Sequence, residues 1–410
     1  MAVIINGSGT VTGLAVGGLP DGSVDADTLA ANSVTAAKIV DGTIVDAEVT
    51  SLAASKLTGA LPAISGASLT GIVNAATVST TAPSSPAQGD QWFDSTTGIT
   101  SMKVYNGTGW DQLSNKFSAS GGTESTYTSG GVTYKVHKFT SSGTFVAEAG
   151  GSVDVLMVAG GGGGGYQVGG GGGAGGLLYG TISITAQSYS ISIGSGGGGS
   201  PNSSQHASNG ANTTGFSATA IGGGKGGDHN GAVGNVAGGS FAGGSGGGGG
   251  AYGGYNGGNS TGAPATQGNS AGLTGYGNAG GNGRPTDWSA GGGGGAGGAG
   301  ANSPSAGVGG NGGAGKSYDI SGTATYYAGG GGGSMNGQTG SSYFSTGGSS
   351  IGGRGFGNNG QAINGTTHGD DGAVNTGSGG GGVRDQYASG QDYSRSGNGS
   401  SGIVIVRYQV

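Results

Sequence analysis

The chain is poor in the residues on which many protein functions depend. It contains no cysteine, which excludes disulfide bonds and thiol chemistry. Charged residues make up 8% of the chain, against roughly 25% in ordinary soluble proteins. The 13 basic and 19 acidic residues give a net charge of −6 and no basic block, so there is no electrostatic footprint for binding nucleic acid.

Long apolar runs are also missing. No stretch approaches the length of a membrane span. The segment Met1–Ile5 is too short for the apolar region of a signal peptide and carries no basic residue. The sequence therefore predicts a protein that inserts in no membrane and is assembled in the cytoplasm of the cell that makes it.

Glycine, by contrast, supplies 111 of the 410 residues, and 92 of these lie at or after Gly150. Three structures fit such a composition. Collagen needs glycine at every third position and abundant proline, whereas this chain has eight prolines and continuous blocks such as Gly160–Gly165. A disordered linker fits the composition. A packed array of polyglycine helices, each with three residues per turn, also fits, provided that neighbouring segments satisfy each other's backbone groups.

Strand-like runs bracket the glycine-rich region and favour the ordered array. Residues 152–158 (SVDVLMV) and 402–408 (GIVIVRY) are rich in β-branched residues. Residues 181–184 and 189–193 alternate with a period of two, and the link between them, 185–188, has the length of a hairpin loop. Because ordered glycine loses much conformational entropy, we expect the first and last strands to pair and close the domain.

The order of these motifs resembles the glycine-rich domain of bacteriophage tail fibres and related adhesins. The resemblance rests on 153–159 (VDVLMVA) leading into polyglycine, on 170–176, 180–184 and 189–194, and on the closing strand 402–408. It covers about residues 130–410. It implies a virion fibre tip that contacts the host surface, in which a lattice of polyglycine helices displays variable loops that read a receptor.

Three ten-residue units precede the glycine-rich region: 22–29, 32–39 and 42–49. Their apolar positions recur at Val24, Val34 and Ile44 and again five residues later. A unit with two apolar positions cannot bury its own face, so such repeats need neighbours or other chains. The repeat resembles the shafts of phage fibres, which implies a homotrimer. A short helical hairpin is the alternative interpretation, and some units could be short helices within the shaft.

Between shaft and glycine-rich region lies a Pro/Ser/Thr-rich linker followed by aromatic residues. Asn106-Gly107 predicts a hairpin turn, and Trp92, Tyr105 and Trp110 predict a small module with an aromatic core, in preference to a sugar-stacking site. Residues 133–139 and 142–146 form a predicted strand pair of the C-terminal domain. We expect His137, between two lysines, to lie on its polar face in solvent.

Motifs for catalysis and metal binding do not withstand inspection. Residues 310–317 (GNGGAGKS) match the phosphate-loop pattern, but neither a buried strand before them nor a helix after them is predicted. His368 with Asp370 and Asp371, and Asp228 with His229, lack the spacing of zinc or calcium sites. The remaining acids show no carboxylate pair for glycan hydrolysis. We predict no enzyme, no metal and no cofactor.

The function that the sequence still supports is binding of a ligand by side chains of the glycine-rich region. Aromatic residues beside amide and hydroxyl side chains suit sugar rings, through stacking and hydrogen bonds; equally, they could form small cores at the ends of glycine helices. The receptor-binding candidates are Tyr252, Tyr255, Trp288, Tyr326, Tyr327, Tyr343, Tyr387 and Tyr393. The candidates for docking on the virion are Val3, Ile4, Ile5, Val11 and Leu14.

The sequence therefore predicts a mostly β, elongated trimeric fibre in four parts. These are a virion attachment segment (1–21), a repeat shaft (22–76), a linker with a small aromatic β module (77–120) and a glycine-rich distal domain of β strands and packed polyglycine II segments (121–410). The predicted function is attachment to phage tail or capsid proteins and recognition of a host surface polysaccharide or lipopolysaccharide, without binding to nucleic acid. The alternative is a structural decoration or spacer of the virion that has no receptor.

Overall fold

A computed structural model describes most of the chain. The described residues are 4–5, 11–12, 31, 33–40, 76–96, 101–113, 117–202, 205–228, 241–251, 260–284, 286, 288–336, 344–357, 368–384 and 395–410. The chain divides into two compact units, Met1–Gln112 and Leu113–Val410. The second unit begins before residue 121, where the sequence predicted the start of the glycine-rich domain. Ala119 and Ser120 form a strand within one of its sheets.

The protein is mostly β, as the sequence predicts. The described strands of the first unit are β1 (Ile4–Ile5), β2 (Val11–Thr12), β3 (Thr77–Ser79), β4 (Gln91–Asp94), β5 (Ser101–Tyr105) and β6 (Trp110–Leu113, whose last residue opens the second unit). Those of the second unit begin with β7 (Ala119–Ser120), β8 (Thr123–Ser129), β9 (Val132–Phe139), β10 (Gly143–Ala147), β11 (Gly151–Val158), β12 (Leu177–Ile184), β13 (Gln187–Ile191), β14 (Thr213–Gly215) and β15 (Ala218–Ala220). They continue with β16 (Thr274–Tyr276), β17 (Lys316–Tyr318), β18 (Thr325–Tyr327), β19 (Phe344–Ser345), β20 (Gly355–Gly357), β21 (Val383–Arg384) and β22 (Ile403–Gln409).

Helical structure is confined, among the described residues, to short 3-10 turns such as Ala36–Lys38 and Gly348–Ser350. The first of these falls in the second ten-residue repeat, where a short helix was one of the two interpretations. In the part of the chain that the structure describes, no helix is long and apolar enough to cross a membrane.

The aromatic module forms a four-stranded sheet in the order β3-β4-β5-β6. The Asn106 side chain shapes the β5–β6 turn by accepting hydrogen bonds from the backbone N–H groups of Thr108 and Gly109, both at 2.8 Å. Trp92 is buried and meets Trp110 edge to face at 5.4 Å. The predicted hairpin and miniature aromatic core are therefore both present.

Two sheets organise the glycine-rich unit. One has six strands in the order β16-β12-β11-β22-β9-β8, and the other has three in the order β13-β10-β7. The first and last apolar runs pair as expected: β11 and β22 are antiparallel, with Met157 opposite Val404. This pairing places the two ends of the glycine-rich region side by side at the centre of the larger sheet.

The central strands of the six-stranded sheet, β11 and β22, are buried on both faces. Val155, Met157 and Val406 lie in a core shared with Phe145 and Ile191 of the smaller sheet. On the opposite face, the core comprises Leu156, Val158, Leu177 and Ile405, together with Ile320, Tyr327 and Ala328 from the second half of the chain. Neighbouring residues of one strand therefore enter different cores.

Two of the predicted strand pairings are wrong. β12 pairs with β11 and β16, whereas β13 pairs with β10. The hairpin-sized link after Ile184 is therefore a connection between two sheets. Likewise, β9 pairs with β8 and β22, and β10 pairs with β7 and β13. A short link fixes only the distance between two strand ends, and here the chain turns from one layer of the sandwich into the other.

The polyglycine segments form the predicted array. Along Gly160–Gly165, successive N–H groups donate to three different neighbours in turn, and the cycle repeats every third residue. Gly160 and Gly163 donate to the segment 208–211, Gly161 and Gly164 donate to 396–400, and Gly162 and Gly165 donate to 169–173. Carbonyls of the same segment accept from 197–200, 223–226 and 380–383. Six neighbours thus satisfy a segment that has no internal hydrogen bonds, as a helix of three residues per turn requires.

Glycine is required where a segment is surrounded. A Cβ atom on Gly161, Gly171 or Gly172 would lie 2.0–2.1 Å from a carbonyl oxygen of a neighbouring segment. At the periphery every third residue faces outward, so that Gly194, Gly197 and Ser200 are buried whereas Ser195 and Gly198 are exposed. A fully surrounded segment therefore needs glycine at every position, whereas a peripheral segment has one position in three that can carry a side chain.

Candidate functional site

The array has two ends. The segment Gly160–Gly165 runs from β11 to the turn Tyr166–Val168, and Gly169–Gly176 runs back to β12. We call the region around this turn, opposite the sheets, the distal end. Here the N–H of Ala251 donates to the carbonyl of Val168 at 3.0 Å, and the N–H of Ser334 donates to that of Gly169 at 2.9 Å.

Many other segments also end there. Val383 N–H donates to Gly165, and Ser396 N–H donates to Ser200. The polyglycine packing thus brings residues from distant parts of the sequence, 165–169, 251, 334, 383 and 396, together at one end of the array.

A small apolar cluster closes the array beneath this face. Tyr166, Phe356 and Val383 are buried together, and Phe344 packs against them. The Arg354 guanidinium lies 4.5 Å from the centre of the Phe344 ring. These aromatic residues form a miniature core, so aromatic residues at the ends of glycine helices serve folding in this part of the molecule.

A buried polar group fixes the turn. The Asp228 carboxylate, 5% exposed, accepts hydrogen bonds from the Tyr166 N–H at 2.7 Å and the Ser200 hydroxyl at 3.2 Å, and it contacts His206 at 2.9 Å and Lys225 at 4.0 Å. Burial raises the pKa of Asp228, against the opposing effect of these partners. All four partners are positioned by array segments, which indicates a structural role.

The rim of the distal end carries internally neutralised charges. Arg354 pairs with Asp370, and Arg395 pairs with Asp371 at 2.8 Å. Partial burial disfavours the charged carboxylate of Asp371, but hydrogen bonds from Arg395 and Asn398 outweigh it and hold its pKa below the ordinary value. The N–H of Arg395 also donates to Nδ1 of His368 at 3.0 Å. Within each of these two pairs, the charge of the arginine is neutralised by its aspartate.

Trp288 is the predicted receptor-binding residue that the structure places at the distal end. It lies in the loop 284–289, which is closed by a hydrogen bond of 2.7 Å from the Arg284 N–H to the Ser289 carbonyl, and its own φ is +53°. Its side chain is 36% exposed and lies 5.8 Å from the guanidinium of the buried Arg384. The exposed part of the indole offers an apolar ring surface to a ligand.

The other predicted residues are divided. Tyr326 is 49% exposed but lies on β18, near the sheets. Tyr327, its neighbour, is 4% exposed within the second core, so we remove it from the candidate set. The remaining receptor candidates lie outside the described residues: Tyr252, Tyr255, Tyr343, Tyr387 and Tyr393.

For virion docking, the structure describes only a two-stranded ribbon in which Ile4 pairs with Thr12 and Ile5 pairs with Val11. Val3 and Leu14 lie outside the described residues.

The alternating pattern predicted that His137 lies in solvent, and this prediction is wrong. His137 is fully buried, with Nδ1 2.8 Å from the Gly121 carbonyl and Nε2 3.2 Å from the Tyr408 hydroxyl. Burial lowers its pKa. At this point of β9, Val136 enters the second core and His137 packs against Phe145 and Tyr408, so neither side of the strand faces solvent.

The structure around residues 310–317 is not that of a phosphate loop. Residues 310–315 belong to the array, where Gly310 and Gly313 donate to Ala290 and Gly293. Lys316 and Ser317 follow on strand β17, where a phosphate loop requires the start of a helix. Within the described ranges, no group of three or more His, Asp or Glu side chains is arranged to hold a metal ion.

Sequence inspection missed the residues that close the distal end. Tyr166, Gln167 and Val168 stand between two unbroken glycine blocks. Such an interruption marks a point where a segment leaves the array and turns, a signal that is readable without a structure. The contacts between Asp228 and His206 carry no comparable signal, because they join residues that only the array brings together.

Comparison with known families agrees with this architecture. A family model described as a glycine-rich domain matches residues 139–409, more than half of the chain. None of the curated proteins matches the chain.

Proposed function

The chain belongs to the glycine-rich domain family, and on this basis we propose that it is a bacteriophage virion fibre protein that recognises a host cell-surface glycan through its glycine-rich unit. In this proposal the N-terminal segment attaches to a phage tail or capsid protein. Residues 22–76 form the shaft of a homotrimer that is assembled in the host cytoplasm and incorporated in the virion. The glycan is a surface polysaccharide or lipopolysaccharide, and the protein binds it without catalysis.

The observation that carries the proposal is that segments from distant parts of the sequence end together at the distal end, at residues 251, 334, 383 and 396. Backbone hydrogen bonds hold the segments of the array together. A rigid scaffold that presents many variable connections on one face is a common arrangement of binding proteins. The rim ion pairs and the exposed indole of Trp288 suit an uncharged, hydroxyl-rich ligand.

The proposal is tested with the full chain and bacterial cells of candidate hosts. We expect saturable binding that is lost when the surface polysaccharide is removed. Trp288→Ala should weaken binding at least about tenfold, a loss of about 1.4 kcal/mol. Val374→Ala is the matched control, because Val374 is 81% exposed and lies next to residues that bond to the sheet end of the array.

The results also separate the rival structural function. Wild-type protein that binds no host infected by the virion, together with normal adsorption of virions carrying the Trp288 variant, would favour a spacer or decoration. Binding that persists after removal of the polysaccharide would redirect the search to a protein receptor.

A further inference from the structure

A second feature of the glycine-rich unit lies away from the distal end. Between the edge strand β16 and the hairpin β17–β18 is an open cleft of about 520 Å³. Four tyrosines line it, Tyr179, Tyr276, Tyr318 and Tyr326, with Lys316. Its size falls in the range of ligand sites, about 300–1,000 Å³.

The tyrosine rings are held in place by the fold. Tyr179 lies on β12 directly opposite Thr274 of β16. Its ring centre is 4.3 Å from that of Tyr318, with a tilt of 39°. Both rings also pack against the second core, as does Tyr276. Tyr326 completes the cleft as its most exposed ring, at 49%.

The polar groups of the cleft are few. Lys316 is the one charged side chain that lines it, and its ammonium lies 4.2 Å from the centre of the Tyr276 ring. The Tyr318 hydroxyl is buried beside that of Tyr276, and burial raises the pKa of Tyr318.

The lining consists of tyrosine rings, glycines, Ser317 and Lys316, so aromatic surface and polar groups alternate in it. A pyranose ring matches such a lining. Its C–H face packs on an aromatic ring, and its hydroxyl groups can accept from and donate to tyrosine hydroxyls. A carboxylate on the sugar would form a charge-assisted contact with an ammonium.

We propose that this tyrosine cleft binds an acidic glycan, with a sugar ring stacked on Tyr326 and its neighbours and a carboxylate paired with Lys316. The inference goes beyond receptor recognition at the distal end and does not depend on it. The unit would then have two carbohydrate sites, one of which selects by charge.

The test uses the full chain and two probes, an oligogalacturonate of four sugars and maltotetraose as its neutral counterpart, with affinities measured by calorimetric or NMR titration. We expect the acidic probe to bind more tightly, and its affinity to fall with added salt. Tyr326→Ala should weaken binding of the acidic probe about tenfold or more. Lys316→Gln should remove the preference for the acidic probe and leave maltotetraose binding unchanged.

Trp288→Ala serves as the control, because it alters the distal end and leaves the cleft intact. A sugar that is lost with Trp288→Ala and kept with Tyr326→Ala would assign binding to the distal end and overturn the inference. So would the absence of binding of either probe to the wild-type chain. Tyr326 is half exposed, and an unchanged melting temperature of its variant rules out misfolding as the cause of lost binding. Failure of cell binding by the wild-type chain would instead refute the proposed receptor function.

Discussion

Substitution of a single interior glycine tests the array directly. A Cβ on Gly172 would lie 2.1 Å from the carbonyl oxygen of Gly162, and contacts under 3.0 Å are essentially never found for real Cβ atoms. The two segments must therefore separate by about 0.9 Å. Hydrogen bonds of 2.8 Å from Gly162 to Gly173 and of 2.8 Å from Gly165 to Gly170 join these two segments. Both would stretch past the length of a hydrogen bond.

The expected cost follows from those two bonds. A buried backbone group left without a partner costs about 1–3 kcal/mol, so Gly172→Ala should destabilise the unit by about 2–6 kcal/mol. Gly198 is the matched control: it is exposed on a peripheral segment, and the nearest atom to its Cβ would be the Ser208 Oγ at 3.8 Å. Alanine there should stabilise the protein by about 0.4–1 kcal/mol, because it restricts the unfolded chain.

The assay is calorimetric melting of the full chain, wild type and both variants, with hydrogen exchange of the peptides that cover 160–176. Gly172→Ala should lower the melting temperature of the glycine-rich unit and reduce protection along both segments, whereas Gly198→Ala should do neither. Equal stability of the two variants would show that the segments can move apart freely, and the argument from close packing would be refuted.

Three further predictions concern single side chains. Because burial lowers the pKa of His137, its contribution to stability is present above the unfolded pKa of 6.5 and is lost as the pH falls below it. The free energy of unfolding should therefore decrease from pH 7 to pH 5, and it should decrease less in His137→Gln. An identical pH dependence in the variant would contradict this. In the β14–β15 turn, Phe216 and Ser217 have φ of +53° and +61°, so Ser217→Gly should be neutral or raise the melting temperature. Phe216→Gly should instead cost about 3 kcal/mol, because Phe216 is buried against Phe145 and Tyr189. Equal effects of the two substitutions would refute the packing argument. In the aromatic module, the hydrogen bond with Lys103 is the main cause that lowers the pKa of Asp94 to about 2. The module should therefore lose stability as the pH falls from 3.8 toward 2. Asp94→Asn should abolish this dependence, as measured by a pH titration of tryptophan fluorescence.

Several parts of the fold were predictable because local sequence and global structure agree. The runs that became β11 and β22 are β-branched and flanked by glycine or serine, and their pairing was expected from the need to close the array. The period-three bonding was predictable because surrounded polyglycine has no other way to satisfy its backbone. The turn at Asn106 carries a strong local signal.

Other parts depend on layers that the sequence does not reveal. The alternation along β9 predicted a solvent face for His137, but both faces of the strand are covered at this point, so Val136 and His137 are buried together. The adjacent tyrosines 326 and 327 looked equivalent, yet successive residues of a strand point to opposite faces, and one lines the cleft while the other enters the core. The cleft itself combines β12, β16 and the β17–β18 hairpin, which no local pattern connects.

The three-residue period of the array also limits how such a chain can change in length. Within Gly160–Gly165, the loss of one glycine would rotate the rest of the segment by about a third of a turn. Every later N–H would then face the wrong neighbour, and six adjoining segments would lose their match. A change of three residues would preserve the pairing and only move the turn. We therefore expect the array to keep its hydrogen bonding only when a segment changes length in steps of three.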